Sequence, residues 1–206
     1  QGAVHYLDSH PEAAVAGCKS YNPDGTIQVS WNHHYPSLLY ELIPEIFRDR
    51  LRTKDAATDA DKEFPAAWVG GVCMTVRREA AEQVGLLDEE YLIYTEETDW
   101  CRRFKCAGWE VMHSPSVEIT HLGGQSTGQM KTEMQIELLK SKIRFIRKFG
   151  FKAEWKLYII AQLIILHLKM LKYMITCRKK NLLDCVKISS ACRLLLSNDN
   201  CIGESR

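Results

Sequence analysis

The chain has 206 residues, 46% hydrophobic and 26% charged, with a formal net charge of +1. That mixture excludes collagen-like, low-complexity and highly charged disordered classes and is enough for one sizeable core, or one domain plus an appendage. The balance hides an asymmetry: residues 1–130 hold 11 Lys/Arg against 20 Asp/Glu, residues 131–187 hold 14 against 4, and residues 188–206 hold 2 against 2. An acidic body with a basic, apolar C-terminal arm points to an anionic partner such as a membrane surface or a nucleic acid.

The first residue is Gln1 and no charged-then-apolar leader opens the chain, so a piece of a larger protein is expected. Eight cysteines, at 18, 73, 101, 106, 177, 185, 192 and 201, form no CxxC pair and no zinc-finger spacing. They read as reduced, half-buried thiols of a cytosolic compartment.

In chain order, Ala13–Cys18 is a short apolar run that reads as a buried strand. Asn22-Pro23-Asp24-Gly25 is turn chemistry, and Thr26–Trp31 alternates like a strand. Pro36–Phe47 carries a helical apolar stripe interrupted by Pro44, and the charged stretch 48–63 reads as a mobile surface loop. Ala67–Val76 is the strongest strand signal, with Gly70 and Gly71 marking a bend or a close backbone approach by a ligand. Arg78–Val84 reads as a short helix stopped by Gly85. A second helix has Thr95 as N-cap, Glu96, Glu97 and Asp99 in its first turn, and its end at Ala107-Gly108. Glu110–His113 and Val117–His121 read as short strands, Gly123–Gly128 as a loop, and 130–149 and 153–177 as long helices. Strand and helix alternate up to about residue 128, and the remainder reads as all-helical, so the class is α/β with a helical arm.

Three segments carry candidate chemistry. Tyr94–Arg103 concentrates three carboxylates at a helix start. Acids favour the positive end of the helix dipole, and Asp99 is spaced to pair with Arg103, so a purely structural role accounts for them. A carboxylate at a helix N-terminus is equally suited to take a proton from a hydroxyl. His121–Thr127 joins a histidine at a strand end to glycines able to present N–H groups to an anion. Gln129-Met130 stands where a P-loop needs Lys-Ser/Thr, so a P-loop is rejected. Trp68 beside Gly70 and Gly71 is either a core residue or a sugar-stacking platform.

In order and spacing, Trp68–Glu79, Gly85–Tyr91, Tyr94–Arg103, Ala107–Trp109 and His121–Thr127 resemble the C-terminal half of a family-2 glycosyltransferase, closest to the bacterial rhamnosyltransferase-like members. Pro11–Lys19 and Asn22–Thr26 resemble the segment following that family's metal-binding acidic motif, so the likeness covers roughly residues 3–150. The resemblance implies a GT-A fold, a Rossmann-like α/β sandwich, with its acceptor-side part at 1–128 and a helical, basic, membrane-proximal extension at 129–206. It implies inverting transfer of a sugar, rhamnose by overall likeness, from a nucleotide-diphosphate donor. The acceptor would be a hydroxyl of a lipid-linked or polysaccharide molecule in bacterial surface glycan synthesis. A divalent metal, Mg or Mn, would offset charge on the leaving diphosphate.

Residue by residue, Glu96-Glu97 match the family's acidic pair, with Glu97 as the base and Glu96 and Asp99 in support. His121 matches a metal ligand. Trp68, Gly70, Gly71 and Trp100 match donor or acceptor contacts, and Gly123, Gly124 and Ser126 match the diphosphate loop. The nucleotide-binding half with its aspartate-rich motif is missing from the sequence, so this chain alone is expected to be inactive.

In the C-terminal arm the longest stretch free of charged residues is Leu157–Leu168, too short by that measure for a spanning helix. With Lys169, Lys172, Arg178, Lys179, Lys180 and Lys187 around it, residues 151–187 read as an interfacial segment on an anionic leaflet. Packing on the catalytic body or on a second subunit is the other reading. The expected location is cytoplasmic, peripheral on the inner face of the cell membrane. No nucleic-acid partner is expected, because the arm has no recognition motif, and homo-oligomerisation stays open. The alternative function is a non-catalytic membrane-associated α/β module whose acids merely cap a helix. A glycoside hydrolase is disfavoured because Glu96 and Glu97 are adjacent rather than set on opposite sides of a bond.

Overall fold

The computed structural model describes residues 2–43, 47, 59–123 and 131–197. It is a mixed α/β protein. The described elements are α1 (Gly2–Ser9), β1 (Ala13–Tyr21), β2 (Ile27–Gln28), β3 (Trp31–Asn32), α2 (Leu38–Leu42), β4 (Phe64–Pro65), β5 (Trp68–Val69), β6 (Thr75–Val76), α3 (Arg78–Val84), α4 (Glu96–Cys106), β7 (Glu110–Thr120), α5 (Lys131–Phe149), α6 (Glu154–Ile175) and α7 (Lys179–Ser197). They fall into two compact units. The first takes residues 1–35, 43–89 and 96–125, the second 36–42, 90–95 and 126–206.

In the first unit β1 is the spine. Eight of its nine residues are buried, which suits a run of small and apolar side chains covered on both faces. It runs parallel to β7 and antiparallel to β6 (Val15 opposite Val76) and to β2 (Tyr21 opposite Ile27), while β4 pairs antiparallel with β7. The two strands expected at 110–113 and 117–121 are one strand with an irregularity. Gly17 lies opposite His113 and Lys19 opposite Glu118, so two steps along β1 match five along β7. Pro115 sits in that gap, where its missing N–H cannot serve the ladder, and Ser114 Oγ accepts the Ser116 N–H at 3.3 Å instead. The core holds Val15, Trp31, Val69, Cys101, Phe104 and Val111.

Two expected strands are divided. Thr26–Trp31 becomes β2 and β3, and Ala67–Val76 becomes β5 and β6, with β3 and β5 forming a small antiparallel sheet of their own. The break in the second falls at Gly70-Gly71, where the sequence calls for a bend. Most of the expected loop at 48–63 lies outside the described residues. Its described end is anchored: Ala60 is buried in the core and its carbonyl accepts from His113 Nε2 at 3.1 Å.

Helix α3 ends as expected at Gly85, whose φ is 82°. Helix α4 closes with a Schellman arrangement: Trp109 N–H bonds the Phe104 carbonyl at 3.0 Å, Gly108 N–H bonds the Lys105 carbonyl at 3.1 Å, and Gly108 has a φ of 90°. Its start differs from expectation. Thr95 immediately precedes it, but with φ at 71° rather than in the extended conformation of an N-cap, and Tyr94 before it has φ at 65°.

The second unit is helical around a core of Leu139, Ile143, Ile146, Tyr158, Ile159 and Cys192. It also gathers short pieces from earlier in the chain. Lys142 Nζ donates to Glu41 Oε1 at 2.7 Å, Glu154 Oε1 accepts the Leu38 N–H at 2.7 Å, and Ser141 Oγ donates to the Ile93 carbonyl at 2.9 Å. The position 128/129 taken as a boundary from sequence lies outside the described residues. All seven described cysteines are free thiols, four of them buried.

Candidate active site

The acidic helix α4 is laid along the segment leading into β5. Lys105 Nζ donates to the Ala66 carbonyl at 3.0 Å, and one turn earlier the Cys101 thiol meets the backbone of Val69. Residues 97, 101 and 105 are spaced one turn apart on one face of the helix. The short connection from α4 into β7 sets the helix antiparallel to that strand, so the Glu96-Glu97 end lies at the carboxyl end of β1 and β7. That is where α/β sheets place their ligands.

Gly70 and Gly71 are not demanded by local conformation, since neither has a positive φ. A Cβ on Gly71 would meet nothing within 4 Å, and one on Gly70 would approach only Ser30, closest at its carbonyl oxygen, 3.4 Å away. The Gly70 N–H is taken by Ser30 O at 2.6 Å. The pair leaves an uncovered strip of backbone after β5.

Burial pushes the Glu97 carboxyl up to about 7, and the neighbouring Glu96 carboxylate adds to the rise. Glu96 Oε2 is buried with no hydrogen-bond partner among the described residues. A carboxyl poised near neutrality is matched to proton abstraction at physiological pH.

Asp99 faces elsewhere. It has no solvent exposure, and Arg103 Nε donates to its Oδ2 at 2.7 Å. Arg103 also donates to the carbonyls of Val84 (2.7 Å), Gly85 (3.2 Å) and Leu86 (2.7 Å), and Trp100 Nε1 donates to Gly85 O at 2.8 Å. Asp99 and Trp100 thus fasten α4 to the turn after α3, and the Arg103 pair is the structural role that the i,i+4 spacing of Asp99 offers. Trp68 is half-buried, and its Nε1 donates to the His34 carbonyl at 3.0 Å.

His121 stands just past the end of β7, its N–H bonded to Tyr21 O at 2.9 Å. A directed chain of hydrogen bonds fixes its ring. Thr26 Oγ1 donates to Asp24 Oδ1 (2.6 Å), Asn22 Nδ2 to Thr26 Oγ1 (2.9 Å), and Gln28 Nε2 to Asn22 Oδ1 (3.1 Å). Gln28 therefore turns Oε1 to His121 Nδ1 at 2.8 Å. A carbonyl oxygen only accepts, so Nδ1 carries the proton and Nε2 the lone pair. Gln28 and Asn22 were read from sequence only as strand and turn residues. The signal for their role, a polar residue two positions into β2 and an Asn opening the turn, is common to many hairpins.

Gly123, with φ at 51°, follows; Gly124 and Ser126 lie outside the described residues. Among the described residues no cluster of three or more His, Cys, Asp or Glu could hold a metal by itself. His121 Nε2 is the lone pair here that could serve as one ligand, its ring oriented by Gln28.

No family model matches the chain. Over 133 residues it is 43% identical to the N-acetylglucosaminyl-diphospho-decaprenol L-rhamnosyltransferase of Mycobacterium tuberculosis, in strain CDC 1551 / Oshkosh and equally in strain ATCC 25618 / H37Rv. The match takes in 58% of this chain and 40% of each relative, so the chain spans about two fifths of their length. It is thereby related to a glycosyltransferase.

Proposed function

We propose that a complete protein containing this chain is an inverting glycosyltransferase of GT-A type, for which residues 1–128 supply the acceptor-side part of the catalytic domain. By its relatives' name, the sugar is L-rhamnose and the acceptor an N-acetylglucosaminyl diphosphate on a polyprenol, a step of cell-wall glycan synthesis. The donor is a nucleoside-diphosphate sugar. The location is the cytoplasmic face of the cell membrane.

The observation that carries this reading is Glu97: a carboxyl raised to about 7 by burial and by the neighbouring Glu96, at the start of α4. In the mechanism, Glu97 takes the proton of the acceptor hydroxyl as that oxygen attacks the anomeric carbon. Glu96 keeps the Glu97 proton affinity high by its charge. Gly70 and Gly71 admit the sugar against the backbone, and Trp68 offers an aromatic edge beside it. A divalent ion, Mg or Mn, supplies Lewis-acid stabilisation of the departing diphosphate when bound. His121 Nε2 is the ligand this chain offers it.

The test is Glu97→Gln in the complete protein. Transfer should fall by about 100-fold or more, with nucleotide-sugar binding retained. Turnover that survives the change would remove Glu97 from the base role. Because the folded carboxyl titrates near 7, kcat/KM should rise with pH through that region. A profile flat over about pH 5 to 8 would contradict it.

A further inference from the structure

Helix α6 has two apolar faces. Trp155, Tyr158, Ile159 and Leu166 are buried in the core of the helical unit. About 180° around the helix, at 3.6 residues per turn, Leu157, Ile160, Ile164, Leu168, Leu171 and Ile175 form a continuous stripe, each 43–75% exposed. The stripe is about 27 Å long. This double face is why the sequence shows no clean amphipathic pattern there.

We propose that this outer stripe of α6 lies on an anionic lipid bilayer. Charge points to that occupant. Lys172 sits about 80° to one side of the stripe, placed to reach headgroups while its stem covers acyl chains; Lys156, about 80° to the other side, holds its Nζ over the Trp155 ring, 5.0 Å from the centroid. Residues 154–197 hold eight Lys/Arg against two Asp/Glu, and both acids are turned inward. Glu154 is buried and accepts the N–H groups of Leu38 and Phe151, and Asp184 accepts from Thr132 at 2.8 Å. The outward charge is therefore cationic. A two-fold pair of this same face would set lysines against lysines, whereas an acidic leaflet complements them. By length and composition α6 is also the one described helix that could cross a membrane. Its opposite face is committed to α5 and α7, which are too rich in charge to enter hydrocarbon, so the helix lies along the surface.

The inference deepens the proposed function by giving a lipid-linked acceptor a docking plane. Its test needs no sugar transfer, so either can fail alone. The full chain is sedimented with vesicles of equimolar phosphatidylglycerol and phosphatidylcholine, and with phosphatidylcholine alone. The chain should bind the anionic vesicles, lose binding as salt rises, and bind the neutral vesicles far more weakly. The double variant Ile164→Glu/Leu168→Glu should lose about tenfold or more in partitioning, with unchanged helical circular dichroism. Lys156→Glu/Lys172→Glu should weaken anionic binding only. Wild-type binding unaffected by both variants, no binding at all, or a stable dimer that the stripe variant converts to monomer would each overturn it.

Discussion

Arg103 donates through Nε to the fully buried carboxylate of Asp99 and spends its other two nitrogens on three consecutive carbonyls, Val84, Gly85 and Leu86. One ion pair inside α4 thereby fixes the turn that follows α3. Removing one partner of a buried pair leaves the other charge stranded. Asp99→Ala should lower stability by roughly 3–5 kcal/mol, read by denaturant unfolding. Arg103→Lys should also be costly, because a single ammonium cannot serve a carboxylate and three carbonyls laid out for a planar fork. A change within about 0.5 kcal/mol of wild type, the ordinary surface range, would show that the pair does not hold the turn.

His121 is predicted to be a single tautomer. The chain from Asp24 through Thr26, Asn22 and Gln28 has one consistent polarity, so the proton sits on Nδ1. Nitrogen-15 spectra of the neutral imidazole should show Nδ1 protonated and Nε2 bare. Gln28→Met removes the acceptor and should let both tautomers appear. If the wild-type ring is protonated on Nε2 instead, its fitness as a metal ligand is lost.

The parts of this chain that were legible in the sequence are those where local chemistry decides. Ala13–Cys18 had to be a covered strand, and Gly85 and Gly108 had to end helices, because no long-range partner competes with a buried apolar run or a left-handed cap. The strands at 26–31 and 67–76 read as single pieces because their side-chain pattern continues across points where the chain changes sheet. Only the pairing of Trp31 with Val69, and of Thr75 with Ala16, divides them. In the candidate site, the place of Glu97 in the first turn of α4 was legible from the helix-start pattern. The inward turn of Asp99 was legible only as one of two options, since spacing allows an Arg103 pair without requiring it. The support of His121 by Gln28 joins residues 93 positions apart and leaves no trace in either local pattern. The two apolar faces of α6 overlap when read along the sequence and separate only when neighbouring helices cover one of them.

Gly17 marks where β5 presses on β1. A Cβ there would lie 2.7 Å from Val69 Cγ1 and 2.8 Å from Val69 Cβ, and Val69 is itself buried. Gly17→Ala should therefore destabilise by about 1–3 kcal/mol through overpacking. Val69→Ala makes room, so the double variant should be more stable than the two single costs added together. Strict additivity in this cycle would mean that the contact is not the cause.

Acid should loosen the same unit through His113. Burial holds its imidazole below its ordinary value, with the nearby Lys19 charge adding a little. The ring lies against Trp31 and Phe64, with Nε2 bonded to the Ala60 carbonyl and a buried Nδ1 that has no partner among the described residues. The unfolded chain binds a proton near the usual histidine value of about 6.5, while the folded chain binds it only at lower pH. Between those two values the unfolded state carries more protons, so stability falls as pH drops below about 6.5 and levels off once the folded ring protonates. Melting temperature followed downward from neutral pH should show this decline. His113→Gln keeps a side-chain donor for Ala60 but cannot titrate, so its curve should start lower and run flatter. A decline of equal steepness in both proteins would assign the acid sensitivity to other groups.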